Sequence, residues 1–100
     1  MCMRMSELNK ETAKHYGYEA QSNQLVEECA ELIQAVSKYR RAVTDEEKLI
    51  ALENFIEEIA DVEIMLEQIK YLLQIPEDGL GAVKIFKINR TRERTVFKRV

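Results

Sequence analysis

One hundred residues leave room for a single small domain spanning 1–100. A hydrophobic fraction of 46% excludes a disordered chain, and 1 Pro with 3 Gly favours long helices over a turn-rich β fold. The net charge of -3 is unevenly spread: the middle is acidic, whereas Lys84 to Arg99 holds seven Lys or Arg against one Glu, which fits a solvated helix face or a weak nucleic-acid contact. No apolar run approaches the length of a membrane span, and the start, MCMRMSELNK, is too short and polar for a secretory segment. Cys2 and Cys29 make no disulfide framework, and Cys29, on an apolar stripe, is expected as a buried thiol. Together these features point to a cytoplasmic protein.

Ser6 to about His15 reads as a short helix with Ser6 as N-cap, stopped at Gly17 between two tyrosines. His15, the single histidine, reads as a cap or surface residue rather than a ligand. The second helix spans about Glu19 to Arg41. Leu25, Cys29, Leu32, Val36 and Tyr39 recur at steps of three and four, an amphipathic stripe. At about 100° per residue Glu28 falls at one edge of that stripe, Glu31 and Gln24 lie just beyond, and Glu27 points nearly away. The stretch Thr44 to Glu47 has the form of a capping box and should start a third helix running to about Gln74. Phe55, Ile59, Val62, Leu66, Ile69 and Leu73 form its main stripe, flanked by Glu58 and Asp61. Leu49, Ile56 and Ala60 form a second apolar set, and a helix apolar on more than one side calls for a further neighbour, such as another subunit. Pro76 should end this helix, with Glu77 to Gly81 as a turn and about Ala82 to Phe97 as a fourth helix, its apolar contacts supplied by Val83, Phe86, Ile88 and Val96. The expected architecture is an all-α helical bundle built on a long antiparallel hairpin, and oligomeric.

The acids of the two long helices are mirrored. The pair Glu28 and Asp61 and the pair Glu31 and Glu58 are both centred between Thr44 and Asp45. A reversal there sets Glu28 across from Asp61 and Glu31 across from Glu58, and the spacing of three within each arm keeps both acids on one face. Singly, each reads as a solvated surface residue. As a set they flank the stripes where the arms meet, and four converging carboxylates need a cation. An all-oxygen set suits Mg²⁺ or Mn²⁺. The Glu-x-x-His pairs of di-iron bundles are absent. Carboxylate-held Mg²⁺ keeps positions open for phosphates, and the basic last element could neutralise their charge, so the residues point to a Mg²⁺-dependent site for a phosphate-containing ligand.

Glu27-Glu28-x-x-Glu31, followed after 26 residues by Glu58-x-x-Asp61, resembles the EExxE and ExxD motifs of the MazG-like nucleoside triphosphate pyrophosphohydrolases, members of the all-α NTP pyrophosphatase superfamily. The stretch YGYEAQSNQLVEECAELIQAVSKYRR is similar to that family's first motif helix, and FKINRTRERT to its basic C-terminal segment. The resemblance implies hydrolysis of a nucleoside triphosphate to the monophosphate and pyrophosphate. It implies Glu28, Glu31, Glu58 and Asp61 as Mg²⁺ ligands, with Glu27 in a water-orienting role. It makes Lys84, Lys87, Arg90 and Arg94 phosphate ligands, lets Gln21 and Gln24 meet the base or sugar, and implies a homodimer or homotetramer whose subunits complete each other's sites. The competing class is a non-catalytic helical module that binds nucleotide or nucleic acid without turnover.

Overall fold

The computed structural model describes the backbone of residues 4–99 and the side chains of residues 4–95. Cys2 and the side chains of Val96, Phe97, Lys98 and Arg99 lie outside the described residues. Three helices follow one another: α1 (Met5–Arg41), α2 (Asp45–Leu72) and α3 (Glu77–Arg99). No strand occurs among the described residues.

The punctuation in the sequence acts much as expected, with two corrections. Gly17 has φ 83 and ψ 171 inside α1, a break that divides it into two helical pieces; that backbone region is open essentially to glycine alone. The first piece begins at Met5, one residue before the expected cap Ser6, and Arg4 at the N-cap makes no side-chain cap bond. Ala42 ends α1 with an extended backbone, and its N–H donates to the carbonyls of Lys38 and Tyr39. Thr44 caps α2, its Oγ1 accepting from the Glu47 N–H at 3.1 Å, while Glu47 Oε2 accepts from the Val43 N–H at 3.5 Å. The reciprocal arm of the capping box thus reaches one residue further back than the usual form.

The second correction concerns Glu77 to Gly81, which is helix rather than turn. Gln74 (φ 55) ends α2 in the left-handed region, with its N–H donating to the Tyr71 carbonyl and the Ile75 N–H to the Lys70 carbonyl. That pair of bonds is a Schellman closure made without glycine. α3 then starts at once. The Pro76 carbonyl accepts from the Leu80 N–H at 3.0 Å, and Glu77 and Asp78 sit in the first turn, where their charge favours the positive end of the helix dipole. These first-turn acids, about 0.3–1 kcal/mol each, offset part of the poor helix propensity of Gly79 and Gly81, about 1 kcal/mol each.

α1 and α2 pack against each other and run antiparallel: Asn9 and Gln21 meet Gln68, and further along Tyr39 meets Phe55 edge-on with ring centroids 6.1 Å apart. The seam is rotated from the expected stripes. On α1, Ala13, Gln21 and Ala35 are buried, Leu25, Cys29, Leu32 and Val36 are half-buried, and Tyr39 is exposed. The Cys29 thiol is therefore half-buried, not buried. On α2 the buried residues are Val62, Met65 and Gln68, with Phe55 and Ile69 half-buried. Ile59, Leu66 and Leu73, expected in the stripe, are exposed. Two buried glutamines lie on the rotated seam. Gln21 Nε2 donates to Gln68 Oε1 at 2.7 Å, Gln68 Nε2 donates to Asn9 Oδ1 at 2.6 Å, and Asn9 Nδ2 donates to the Ile64 carbonyl at 3.0 Å. This chain of amides satisfies itself only when Gln21 and Gln68 face each other across the seam.

Little of the apolar content is covered. The buried hydrophobic residues are Ala13, Ala35, Val62 and Met65. Ile33 is 67% exposed, Ile50 62%, and Leu49 and Ile56 of the second apolar set 58% and 57%. α3 packs against neither α1 nor α2 among the described residues, and Phe86 on it is 66% exposed. The accessible surface is 8433 Å², against roughly 5,900 Å² for a compact monomer of this mass. The radius of gyration is 17.6 Å, against about 13 Å for a compact domain of 100 residues.

Backbone substitutions at the two left-handed positions should act in opposite directions. Gly17→Ala meets no atom within 4 Å, so any loss comes from backbone strain of about 1–3 kcal/mol. Gln74→Gly relieves a left-handed residue and should add up to about 1 kcal/mol. Urea denaturation followed by circular dichroism reads both signs.

Candidate metal centre

Glu28 and Glu31 stand one turn apart on α1, Glu58 and Asp61 one turn apart on α2, and the reversal at 42–44 sets the two turns against each other. One carboxylate oxygen from each lies within 4.8 Å of every other. Glu28 and Glu58 are half-buried in the seam, and Glu31 is exposed. The mirrored spacing thus becomes a real four-carboxylate cluster.

The cluster is not neutralised by the chain around it. The ion pair among the described residues is Lys70 with Glu77, and no Lys or Arg lies within 4.0 Å of the four acids there. At an effective dielectric of about 20, two ionised carboxylates about 5 Å apart repel by about 3 kcal/mol. The effect is visible in Asp61: burial first, then the negative charge of Glu28 and a proton it can share with Glu28, push its carboxyl above the usual 3.8. Gln24, one turn before Glu28, donates Nε2 to Glu28 Oε1 at 2.7 Å and holds that carboxylate in place. The other oxygen, Glu28 Oε2, is shut off from solvent and has no hydrogen-bond partner, and the same is true of Glu58 Oε2. Two partnerless carboxylate oxygens, on opposite helices and out of water, are costly unless a cation lies between them. The donors are all carboxylate oxygens, and neither His15 nor Cys29 belongs to the cluster. Such a set fits a hard divalent cation, Mg²⁺ or Mn²⁺.

The remaining expected site residues are scattered. Glu27 is exposed on α1 beside Glu28. Gln24 belongs to the centre through its bond to Glu28. Gln21 is buried with its amide Nε2 given to Gln68. Lys84, Lys87, Arg90 and Arg94 are exposed on α3, which does not pack against the hairpin that carries the acids. The amide chain of Asn9, Gln21 and Gln68 was not anticipated. Glutamines at a helix seam give no periodic signal, because a pattern of apolar residues skips over them.

No protein-family model matches the chain, and neither a curated protein nor a solved structure is significantly similar to it.

Two outcomes follow from the centre. Glu58→Gln should weaken Mg²⁺ or Mn²⁺ binding by at least the roughly tenfold that loss of an outer-shell partner costs. Isothermal titration calorimetry measures it, with circular dichroism checking that the helices persist; unchanged affinity removes Glu58 from the ligand set. Because Asp61 takes up its proton more readily in the fold than in the unfolded chain, its protonation stabilises the fold. That contribution is fully present below the unfolded value of 3.8 and is lost as pH rises through the raised folded value. In chelator the melting temperature should therefore fall over that window, and Asp61→Asn should flatten the slope.

Proposed function

We propose that the chain is a Mg²⁺-dependent nucleoside triphosphate pyrophosphohydrolase of the MazG-like kind, acting on NTP or dNTP to give the monophosphate and pyrophosphate. The observation that carries this reading is the convergence of Glu28, Glu31, Glu58 and Asp61 with two water-shielded, partnerless oxygens among them. These four residues would hold the cation, with Mn²⁺ as an alternative to Mg²⁺. Bound there, the cation would polarise phosphoryl oxygens and acidify water. Gln24 keeps Glu28 oriented. Glu27, exposed on α1 next to Glu28 in the chain, would support a ligand from behind or orient the attacking water. Lys84, Lys87, Arg90 and Arg94 would hold the phosphates; at helical spacings of three and four, Lys87, Arg90 and Arg94 can gather the β- and γ-phosphates as one leaving unit.

In this reading a homodimer or homotetramer completes the bundle. The chain exposes about 2,500 Å² more than a compact monomer of its mass, an excess of the size that obligate interfaces cover. α3 has no packing partner on its own hairpin, so a second copy is the natural partner for its apolar residues and the means of bringing its basic residues to an acidic centre. The same separation of α3 from the acids favours one other reading, a non-catalytic helical module that binds nucleotide or nucleic acid through α3 alone.

Hydrolysis in ¹⁸O-water separates these readings. Label in the monophosphate, with intact pyrophosphate released, is the expected result, and Lys87→Ala should lower kcat as well as raise KM. Orthophosphate and a diphosphate as products would make the protein a γ-phosphatase, and no turnover with tight nucleic-acid binding would favour the module. Light scattering should give a multiple of 11.7 kDa at micromolar concentration; the monomer mass would remove the assembly from the reading.

A further inference from the structure

A second polar site lies at the other end of the hairpin. Where α2 finishes, a cleft of about 770 Å³ opens between the first piece of α1 and the start of α3, lined among others by Lys10, Lys14, Lys70, Tyr71, Ile75 and Glu77. That volume is in the range of small-molecule pockets, about 300–1,000 Å³. Lys70 is about 14 Å along α2 from Asp61 at 1.5 Å per residue, so the cleft is separate from the acidic centre.

Two ammonium groups reach one aromatic ring there, and a third lysine lines the same cleft. Lys10 and Lys14 are four apart on α1, a spacing at which like charges repel. Both reach over the half-buried Tyr71 ring, with Nζ atoms 5.6 and 6.0 Å from its centroid. Neither has a carboxylate within 4.0 Å among the described residues. Lys70, its side chain 28% exposed, joins them from α2 and holds Glu77 at 2.9 Å. The lining therefore has three lysines against two acids, Glu67 and Glu77, and one of those acids is already paired. The ring alone does not account for two unpaired ammoniums at one place, since each exposed cation–π contact contributes only about 0.5–1 kcal/mol.

We propose that this cleft binds a small phosphate-bearing anion between Lys10, Lys14 and Lys70. The cations are all lysines. Their ammoniums act as point charges, which suits the tetrahedral oxygens of phosphate; a planar carboxylate is better met by the arginine fork, and no arginine lines the cleft. Tyr71 supplies an aromatic wall. The anion competes with Glu77 for Lys70. The site is independent of whether the acidic centre hydrolyses anything. Its ligand chemistry has two sources, an inorganic polyphosphate or the phosphates of a nucleotide.

The test is calorimetry on the full chain in chelator, which keeps the acidic centre free of metal, with inorganic pyrophosphate and separately with adenosine triphosphate. At least one should bind, with an affinity that falls as salt is raised. Lys10→Gln with Lys14→Gln should weaken that binding at least tenfold, and Lys10→Gln alone should weaken it partially. Both lysines are exposed, so the variants keep their fold, which circular dichroism checks. Pyrophosphate binding supports an inorganic source; adenosine triphosphate binding much the tighter, with the same lysine dependence, supports the nucleotide. Binding of neither ligand overturns the proposal. So does binding that the double variant retains and Lys87→Ala abolishes, which would place the anion on α3.

Discussion

Mutual repulsion among Glu28, Glu31, Glu58 and Asp61 is the constraint on which the rest of this structure turns. Four carboxylates are brought within 4.8 Å of one another by two helices that otherwise gain from touching. Two of their oxygens are dry and partnerless, and no basic side chain of the described residues stands near them. A seam made for stability alone would place Leu or Ile at positions 28 and 58. Their occupation by Glu replaces apolar packing at the seam with charge that has no basic partner within 4.0 Å among the described residues. The Asp61 carboxyl accordingly lies above its usual range, raised first by burial and then by the negative charge of Glu28.

The same seam explains the lack of a large core. With Gln21, Glu28, Glu58 and Gln68 on the contact faces, the apolar side chains are displaced to the flanks, and among the described residues only Val62 and Met65 of the larger ones are buried. Ile33, Ile50, Ile56 and Phe86 are left facing outward. The polar seam and the exposed flanks are one feature seen from two sides.

What could be read from the residues was whatever acts locally or by symmetry. Gly17 marks a break because no other residue suits its backbone, Thr44 caps α2 because its hydroxyl reaches the Glu47 N–H, and the mirrored acids meet because the reversal centred between them sets the two pairs against each other. What could not be read depended on competition between weak terms. Glu77 to Gly81 holds two glycines after a proline, which signals a turn, yet it forms the start of α3 with Glu77 and Asp78 in the first turn. The stripe through Ile59, Leu66 and Leu73 is regular, yet these three side chains are exposed while Gln21 and Gln68 meet in the seam, which a pattern of apolar residues does not signal. The basic residues of α3 were legible as a set, whereas their distance from the acids was not, since nothing local in positions 77–99 specifies where that helix lies.

The amide chain also has a bearing on the acids. Gln21 lies seven residues before Glu28, and Gln68 seven after Asp61, so the Gln21 and Gln68 pair is centred on the same point between Thr44 and Asp45 as the two acid pairs. One heptad separates the glutamine layer from the Glu28 and Asp61 layer along the same seam. Leu25, Leu32, Val62 and Ile69 would tolerate sliding by one turn, because apolar contacts are not directional. The hydrogen bonds of Gln21, Gln68 and Asn9 would not: a slip strands at least one buried amide, at about 1–3 kcal/mol. Repulsion among the acids pushes towards that slip, and the amides oppose it. A buried polar layer that adds little to stability thereby acts as a register lock, a role well attested for single buried amides between helices. It keeps Glu28 opposite Asp61 and Glu31 opposite Glu58 even when no cation is there to draw them together.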